Sequence, residues 1–190
     1  MNGNKKVILA SRSPRRKELL EKCGIEFSCM PADIDETLNQ TLPLHQAVED
    51  LSYRKAAAIL KDHMDAIVIG SDTIVTLDSV VLGKPKDRHD ACRMLQKLSG
   101  KEHQVITGLC MISRDRCFRT SSIAKVTFAG LDQEEIEAYV NSGECDDKAG
   151  AYGIQGFGGR YVKEIKGDFY AIMGLPLNKV YEELKNISLY

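Results

Sequence analysis

The stretch that most constrains the fold is residues 66–85, A-I-V-I-G-S-D-T-I-V-T-L-D-S-V-V-L-G-K-P. Residues 66–69 are short, apolar and largely β-branched, which predicts a buried strand. We expect that strand to end at Gly70 and to place Asp72 at its carboxyl end. Ligands of open α/β sheets bind there, and a carboxylate can hold a cation or accept a proton from water. Because the apolar residues 74–77 leave Asp72 no helix to cap, we favour a functional role over a simple turn residue.

A basic turn follows the first strand of the chain. Residues 7–10 predict a strand, and S-R-S-P-R-R at 11–16 leads into a helix through Leu20. Ser13 suits the N-cap and Pro14 the first helical position. Arginines at a helix start are electrostatically unfavourable unless an anion binds, and helix N-termini favour anions. We therefore expect a phosphate-binding turn, with a solvated basic turn as the alternative.

An acidic loop follows the strand predicted over residues 27–30. It contains Asp33, Asp35 and Glu36, in a part of the chain without Lys or Arg. Such a cluster attracts Mg²⁺, which takes one or two carboxylates together with substrate phosphate oxygens. An acidic surface loop explains the same residues equally well.

Two lysines are further candidates. Lys55 falls inside the apolar stripe of a helix predicted over residues 43–64, so it either extends to the edge or faces a polar cleft. Its position in the middle of the stripe favours the cleft. Lys84 lies on a rigid Gly-Lys-Pro turn that would return the cation toward Asp72. Cations beside metal-binding carboxylates suit polyphosphate chemistry. The candidate site therefore combines the acidic loop with Arg12, Arg15, Lys55, Lys84 and Asp72.

The rest of the chain predicts an α/β protein. Its elements are helices over 87–98, over 132–143 and from Pro176, a hairpin of 103–112 with 117–129, and closing strands over 161–165 and 169–173. Residues 146–159 are too rich in glycine for a regular element. We expect a mixed sheet with helices on its faces, in a single domain over residues 1–190.

Composition limits the partners. The net charge is −1 and 28% of residues are charged, so nothing global indicates nucleic acid or an anionic membrane as a partner. No apolar run has membrane-spanning length, and the N-terminal residues 1–6 show no signal-peptide pattern. The six scattered cysteines show no zinc-binding or disulfide pattern. We therefore expect reduced thiols and a cytoplasmic location.

Five segments in order carry a family resemblance. L-A-S-R-S-P-R-R-K-E-L-L at 9–20 resembles the N-terminal signature of the Maf-like nucleoside triphosphate pyrophosphatases. The segments S-D-T-I-V at 71–75, G-K-P at 83–85, H-Q-V-I-T-G at 103–108 and G-L-P-L at 174–177 are similar to its later motifs. The resemblance implies a mixed α/β fold with two lobes around a cleft, related to inosine triphosphatase-type enzymes. It also implies an enzyme that uses a divalent cation, Mg²⁺ or Mn²⁺, to cleave the α–β bond of a nucleoside triphosphate into monophosphate and pyrophosphate.

The resemblance also suggests roles for individual residues. It makes Asp72 the proton acceptor, and it places metal binding at Glu36 and Asp72. D-K-A-G-A-Y-G-I-Q-G at 147–156 is similar to the branch that acts on dTTP and UTP, which disfavours the branch that acts on 7-methyl-GTP. The residues expected to select the base are Arg12, Thr73 and Gln155. Those expected to bind phosphate are Ser11, Ser13, Arg15, Lys55 and Lys84.

Three other functions would use parts of the same sequence pattern. A haloacid-dehalogenase-type phosphatase also has an Asp after an apolar strand, but it needs a second Asp where Ile74 stands. A non-catalytic regulator of cell division is a second alternative. In a third, the basic turn over residues 12–17 grips nucleic acid instead, but one turn is a small footprint in a chain without basic excess. A second copy of the chain, in a homodimer, is a candidate partner beside the nucleotide.

Overall fold

The computed structural model describes residues 6–187, so the expectation about the N-terminus lies largely outside the described residues. The strands are β1 (Val7–Leu9), β2 (Ser28–Cys29), β3 (Ile67–Leu77), β4 (Val80–Leu82), β5 (Glu102–Ile112), β6 (Cys117–Phe128) and β7 (Val162–Lys166). They form one sheet in the order β2-β1-β3-β5-β6-β7, with β4 paired to β3. Because β1 is parallel to β2 and β3 while β4 and β7 are antiparallel to their neighbours, the sheet is mixed, as predicted.

The α-helices are α1 (Pro14–Glu21), α2 (Leu44–Leu60), α3 (Arg88–Leu98), α4 (Gln133–Asn141), α5 (Phe169–Met173) and α6 (Leu177–Asn186). Asp132 and Glu135 form the predicted capping box at the start of α4. Short 3₁₀ turns occupy Ala149–Ala151 and Phe157–Tyr161. Within residues 6–187, every helix is too short or too polar to span a lipid bilayer.

The chain divides into two compact units, each with a core of its own. Of the described residues, unit 1 contains 6–72, 107–122 and 174–187, and unit 2 contains 73–106 and 123–173. The core of unit 1 is built mainly from β1, α2, the start of β3 and the end of β5. The core of unit 2 gathers α3, α4 and the aromatic side chains of Phe128, Tyr139, Tyr152 and Tyr161. This division agrees with the two-lobed α/β fold that the family resemblance implies.

Strand register places the basic turn in unit 1. In the parallel pair of β1 and β3, Leu9 lies opposite Ile69, and the Ala10 N–H donates to the Ile69 carbonyl oxygen at 2.8 Å. Because the two strands are parallel, the residues that follow each of them run in the same direction. Ser11, two residues after Leu9, therefore corresponds in register to Ser71, two residues after Ile69.

The expected break in the strand at Gly70 is wrong, because β3 continues without interruption from Ile67 to Leu77. Asp72 therefore lies in the middle of a long strand rather than at the carboxyl end of a short one. A Cβ atom at Gly70 would collide with the carbonyl oxygen of Ser52 in α2. This glycine serves the close packing of a helix on the strand and not a turn.

The strand predicted over residues 169–173 is also wrong, because this segment forms α5. Asp168 Oδ1 accepts hydrogen bonds from the Tyr170 N–H at 2.8 Å and from the Ala171 N–H at 3.2 Å. An aspartate in this position satisfies the free N–H groups of a helix start. The cap outweighs the β propensity of the aromatic and β-branched residues that follow.

Candidate active site

Hydroxyl and arginine side chains surround the N-terminus of α1 in unit 1. Ser13 Oγ accepts a hydrogen bond from the Arg16 N–H at 3.4 Å, and Pro14 begins the helix, so the predicted helix start is confirmed. Ser11 Oγ accepts from the Ser13 N–H at 3.1 Å. The Ser11 hydroxyl keeps its own proton to donate, and the helix N-terminus favours negative charge. The turn is thus equipped to bind an anion.

Two glycines let α2 approach the sheet closely. A Cβ atom on Gly70 would collide with the Ser52 carbonyl oxygen, and a Cβ atom on Gly108 would collide with the Val48 carbonyl oxygen. Any larger residue at these positions would push α2 away from β3 and β5. The close approach brings Lys55, three residues beyond Ser52, to the middle of β3.

Lys55 lies at the centre of a cluster of charged groups. Only 7% of Lys55 is exposed. Its Nζ atom lies 2.6 Å from Asp72 Oδ1 and 3.2 Å from Glu36 Oε2. The two carboxylates therefore converge on one ammonium group, which offsets their mutual repulsion. Lys55 faces a polar position, and it does not extend along the surface to reach solvent.

Arg54, the residue before Lys55, holds the loop that carries Glu36. Its two Nη atoms donate to the carbonyl oxygens of Asp35 and Thr37, each at 2.6 Å. The Asp35 carboxylate accepts from the hydroxyl and the N–H of Thr37 within its own loop, and these bonds lower the pKa of Asp35. Of the acidic loop, Glu36 is the carboxylate that contacts Lys55.

Arg16 is the site residue that sequence reasoning missed. Its Nε atom donates to the Gly174 carbonyl oxygen at 2.8 Å, and its Nη1 atom lies 3.4 Å from Ser11 Oγ. Burial lowers the pKa of Arg16, and the negative charges of Asp72 and Glu36 act in the opposite direction. The guanidinium therefore supplies a second positive charge near the two carboxylates.

A sequence signal for Arg16 was present. It precedes Leu19 and Leu20 by three and four residues, and both leucines are fully buried. Residues at this spacing share one face of a helix. The position of Arg16 on the inward face of α1 was therefore predictable, although its partners were not.

Ser71 fixes the backbone beside Asp72. Its buried Oγ atom lies 2.7 Å from the Gly108 carbonyl oxygen and 2.9 Å from the Gly174 carbonyl oxygen. Because Gly174 also accepts from Arg16, residue 174 links β3 to α1. This network joins three separate segments of unit 1 around Asp72.

The structure divides the predicted site residues between the two units. Ser11, Arg12, Ser13, Arg15, Glu36, Lys55 and Asp72 belong to unit 1, and Thr73, Lys84 and Gln155 belong to unit 2. Arg12, Lys84 and Gln155 are exposed, whereas Arg15 and Thr73 are half-buried. In unit 2, the Gly83 carbonyl oxygen accepts from the Gly150 N–H at 3.1 Å, so the turn of Lys84 is tied to the start of the glycine-rich segment. The role of each residue remains a prediction.

The donor set of the cluster fits a hard divalent cation. Glu36 and Asp72 supply carboxylate oxygens, which Mg²⁺ and Mn²⁺ prefer. Among the described residues, no group of three or more His, Cys, Asp or Glu side chains is arranged to hold a metal by itself. Mg²⁺ commonly uses one or two carboxylates and completes its coordination with substrate phosphates and water. The two converging carboxylates match the number that Mg²⁺ commonly takes from a protein.

Together these features define a class: a mixed α/β protein whose basic helix N-terminus and paired carboxylates suit a phosphorylated substrate. The sequence profile of the Maf-like protein family matches residues 6–187, and the chain belongs to that family. This confirms the family resemblance inferred from the motifs.

Similar proteins cover nearly the whole chain. A dTTP/UTP pyrophosphatase of Aquifex aeolicus is 49% identical over 184 residues, which are 97% of this chain and 96% of the relative. A dTTP/UTP pyrophosphatase of Bacillus anthracis is 45% identical over 185 residues, 97% of each chain. The structure of the Staphylococcus aureus Ham1 protein aligns over 97% of this chain and all of its own, with a TM-score of 0.56 and 14% identity. That likeness shows a shared fold.

Proposed function

We propose that this chain is a nucleoside triphosphate pyrophosphatase that hydrolyses the α–β bond of dTTP and UTP to the monophosphate and pyrophosphate. The observation that carries the proposal is the 49% and 45% identity, over nearly the whole chain, to proteins named dTTP/UTP pyrophosphatase. The charged cluster around Lys55 supplies groups that this reaction needs. We also propose a cytoplasmic location and a homodimer, which cell fractionation and light scattering test.

Asp72 is the proton acceptor in this proposal. A water molecule that attacks the α-phosphorus must lose a proton, and a carboxylate within hydrogen-bond reach of that water accepts it. The middle of β3 is a rigid place for such a group, because Ser71 anchors the backbone through two carbonyl oxygens. Arg16 and Lys55 hold the Asp72 carboxylate in a positively charged environment.

Glu36 and Asp72 would hold the divalent cation, with phosphate oxygens of the nucleotide as further ligands. When bound, such a cation polarises the phosphoryl oxygens and neutralises charge that develops on the leaving pyrophosphate. Arg54 supports this arrangement by fixing the backbone on both sides of Glu36.

The positive groups bind the phosphates. Ser11, Ser13 and Arg15 lie at the start of α1, where backbone N–H groups and the helix dipole add to their attraction for an anion. The Lys55 ammonium contacts two carboxylates in the structure. In this proposal it also attracts the phosphates of the nucleotide. Lys84, which is exposed, is a further proposed phosphate ligand.

Base selection is assigned to Arg12, Thr73 and Gln155. A uracil or thymine ring presents acceptor oxygens on both sides of an N–H donor, and a glutamine amide offers one acceptor and two donors that match this edge. Cytosine has an amino donor and a bare nitrogen instead. A glutamine held in one orientation would leave a polar group unpaired against cytosine, which discriminates strongly.

A nucleotide panel tests the proposal. The purified protein is incubated with dTTP, UTP, CTP, GTP and 7-methyl-GTP in the presence of Mg²⁺ or Mn²⁺, and the products are separated by ion-exchange chromatography. We expect dTTP and UTP to yield monophosphate and pyrophosphate much faster than the other nucleotides. A preference for 7-methyl-GTP, release of inorganic phosphate and a diphosphate, or a salt-dependent DNA shift without turnover would refute it.

A further inference from the structure

The glycine-rich loop of unit 2 is wrapped around one carboxylate. Glu144 Oε2 accepts a hydrogen bond from the Phe157 N–H at 2.7 Å, and Glu144 Oε1 accepts from the Gly158 N–H at 3.2 Å. The Tyr139 hydroxyl donates to the same Oε1 at 2.9 Å. Each oxygen of Glu144 thus has a partner, and both backbone donors lie just after Gln155.

Tyr139 extends the contact to the other side of Gln155. Its hydroxyl oxygen accepts from the Gly153 N–H at 3.0 Å while it donates to Glu144. Tyr139 itself is almost fully buried in the core of unit 2. The loop is therefore fixed at Gly153 and at Phe157, with Gln155 midway between the two fixed points.

The glycines of the loop allow this close contact. A Cβ atom on Gly156 would collide with the Glu144 carboxylate, and one on Gly153 would lie 2.7 Å from Lys148 Cε. Lys148 in turn donates from Nζ to the Glu144 backbone carbonyl oxygen. A loop built in this way has few alternative positions, although Gln155 itself is exposed.

This arrangement answers a difficulty in base selection. A glutamine amide can rotate to suit cytosine as well as uracil, so Gln155 discriminates only if the surrounding loop holds it in place. Glu144 is neither a proposed catalytic residue nor a proposed ligand of the nucleotide or the metal. It is also the charged acceptor for two of the backbone N–H groups that fix this loop.

We propose that Glu144, supported by Tyr139, is the positioning residue that sets the pyrimidine selectivity of Gln155 by fixing residues 153–158. This inference rests on the proposed function. Glu144 acts on the nucleobase through the loop and does not contact the reacting phosphates. Its removal lowers discrimination between UTP and CTP more than it lowers turnover.

The test compares Glu144→Gln with wild type. Glutamine keeps the length of the side chain, but its NH₂ group faces a backbone N–H in place of an acceptor oxygen. We expect the Phe157 and Gly158 amides to exchange with deuterium at least about tenfold faster, and the ratio of kcat/KM for UTP over CTP to fall about tenfold. Asp146→Asn removes a nearby exposed carboxylate that makes none of these loop contacts, and it should change neither quantity.

Tyr139→Phe keeps the proposal testable if Glu144→Gln folds poorly. It removes only the hydroxyl from a buried ring and should shift both readouts in the same direction by a smaller factor. An unchanged UTP/CTP ratio in both variants, with equal losses for every nucleotide, would overturn the positioning role. Unchanged deuterium exchange of the Phe157 and Gly158 amides in both variants would also overturn it.

Failure of the proposed function gives a different result. A wild-type protein without turnover would refute the pyrophosphatase activity. Exchange rates measured without nucleotide, together with equilibrium binding of UTP and CTP, would still decide whether Glu144 orders the loop and sets the preference. Equal binding of UTP and CTP by wild type would overturn the inference.

Discussion

Replacing Lys55 with methionine should weaken the fold as well as abolish activity. Methionine keeps much of the apolar stem, so packing of α2 on the sheet is largely preserved. The change removes the ammonium that contacts Asp72 at 2.6 Å and Glu36 at 3.2 Å. Both carboxylates then lose the counter-charge that they share.

The size of the effect follows from exposure. Removing one partner of a fully buried ion pair costs about 3–5 kcal/mol, whereas an exposed pair contributes about 0–1 kcal/mol. The side chain of Lys55 is 8% exposed and that of Asp72 is 16% exposed, while that of Glu36 is 62% exposed. Arg16 remains nearby to offset part of the uncompensated charge. We therefore expect a loss of about 2 kcal/mol, nearly all of it from the contact with Asp72.

Urea unfolding at pH 7 measures this loss, with the m value expected to be unchanged. The matched control is Lys61→Met, because Lys61 is exposed and lies just beyond the end of α2. Its stability should stay within about 0.5 kcal/mol of wild type. When Lys55→Met is combined with Asp72→Asn, the Asp72 carboxylate is removed as well, so no negative charge is left there without its counter-charge. The two changes should therefore couple by about 1–2 kcal/mol. Additive effects, or a Lys55→Met protein as stable as wild type, would refute the reasoning.

Three further changes have defined outcomes. Glu36→Gln should require at least about tenfold more Mg²⁺ for half-maximal activity, because it removes a proposed ligand. Its melting temperature should be unchanged, because Glu36 is exposed. The same half-maximal Mg²⁺ concentration in the variant and in wild type would exclude Glu36 as a ligand. Gly108→Ala should destabilise by about 1–3 kcal/mol in urea, because its Cβ meets the Val48 carbonyl oxygen, and unchanged stability would contradict that close contact. Burial lowers the pKa of His103 to about 4. The unfolded chain therefore takes up the proton first as pH falls, so wild type should lose up to about 3 kcal/mol between about pH 6.5 and 4. In urea unfolding over the same pH range, His103→Gln should lose less stability than wild type as pH falls. Parallel plots of unfolding free energy against pH for the two proteins would exclude His103 as the cause.

Local sequence signals predicted most of the fold. The N-cap at Ser13, the capping box at Asp132 and the long hairpin depend on residues close together in the chain, and all three predictions are confirmed. The error over residues 169–173 has a local cause, because Asp168 caps the helix that forms there. The error at Gly70 arose from a distant contact. Gly70 resembles a strand end, yet the backbone of α2 explains the glycine.

The candidate site was predictable in part for the same reason. Lys55 was singled out because a cation interrupts an apolar stripe, and it proves to be paired with two carboxylates. Its pairing with Glu36 depends on Arg54 and the loop backbone, which carry no local signal. Glu144 likewise looks like an ordinary surface acid until the loop contacts are known.

Hydrolysis of dTTP in ¹⁸O-labelled water tests the central claim most directly. Attack at the α-phosphorus by a water that Asp72 activates places one ¹⁸O atom in dTMP and none in pyrophosphate, as mass spectrometry of the two products would show. Asp72→Asn should give the same labelling at a rate lower by about 10²–10⁴. Label in pyrophosphate, dTDP with inorganic phosphate as the products, or near-native turnover by a folded Asp72→Asn protein would contradict the account.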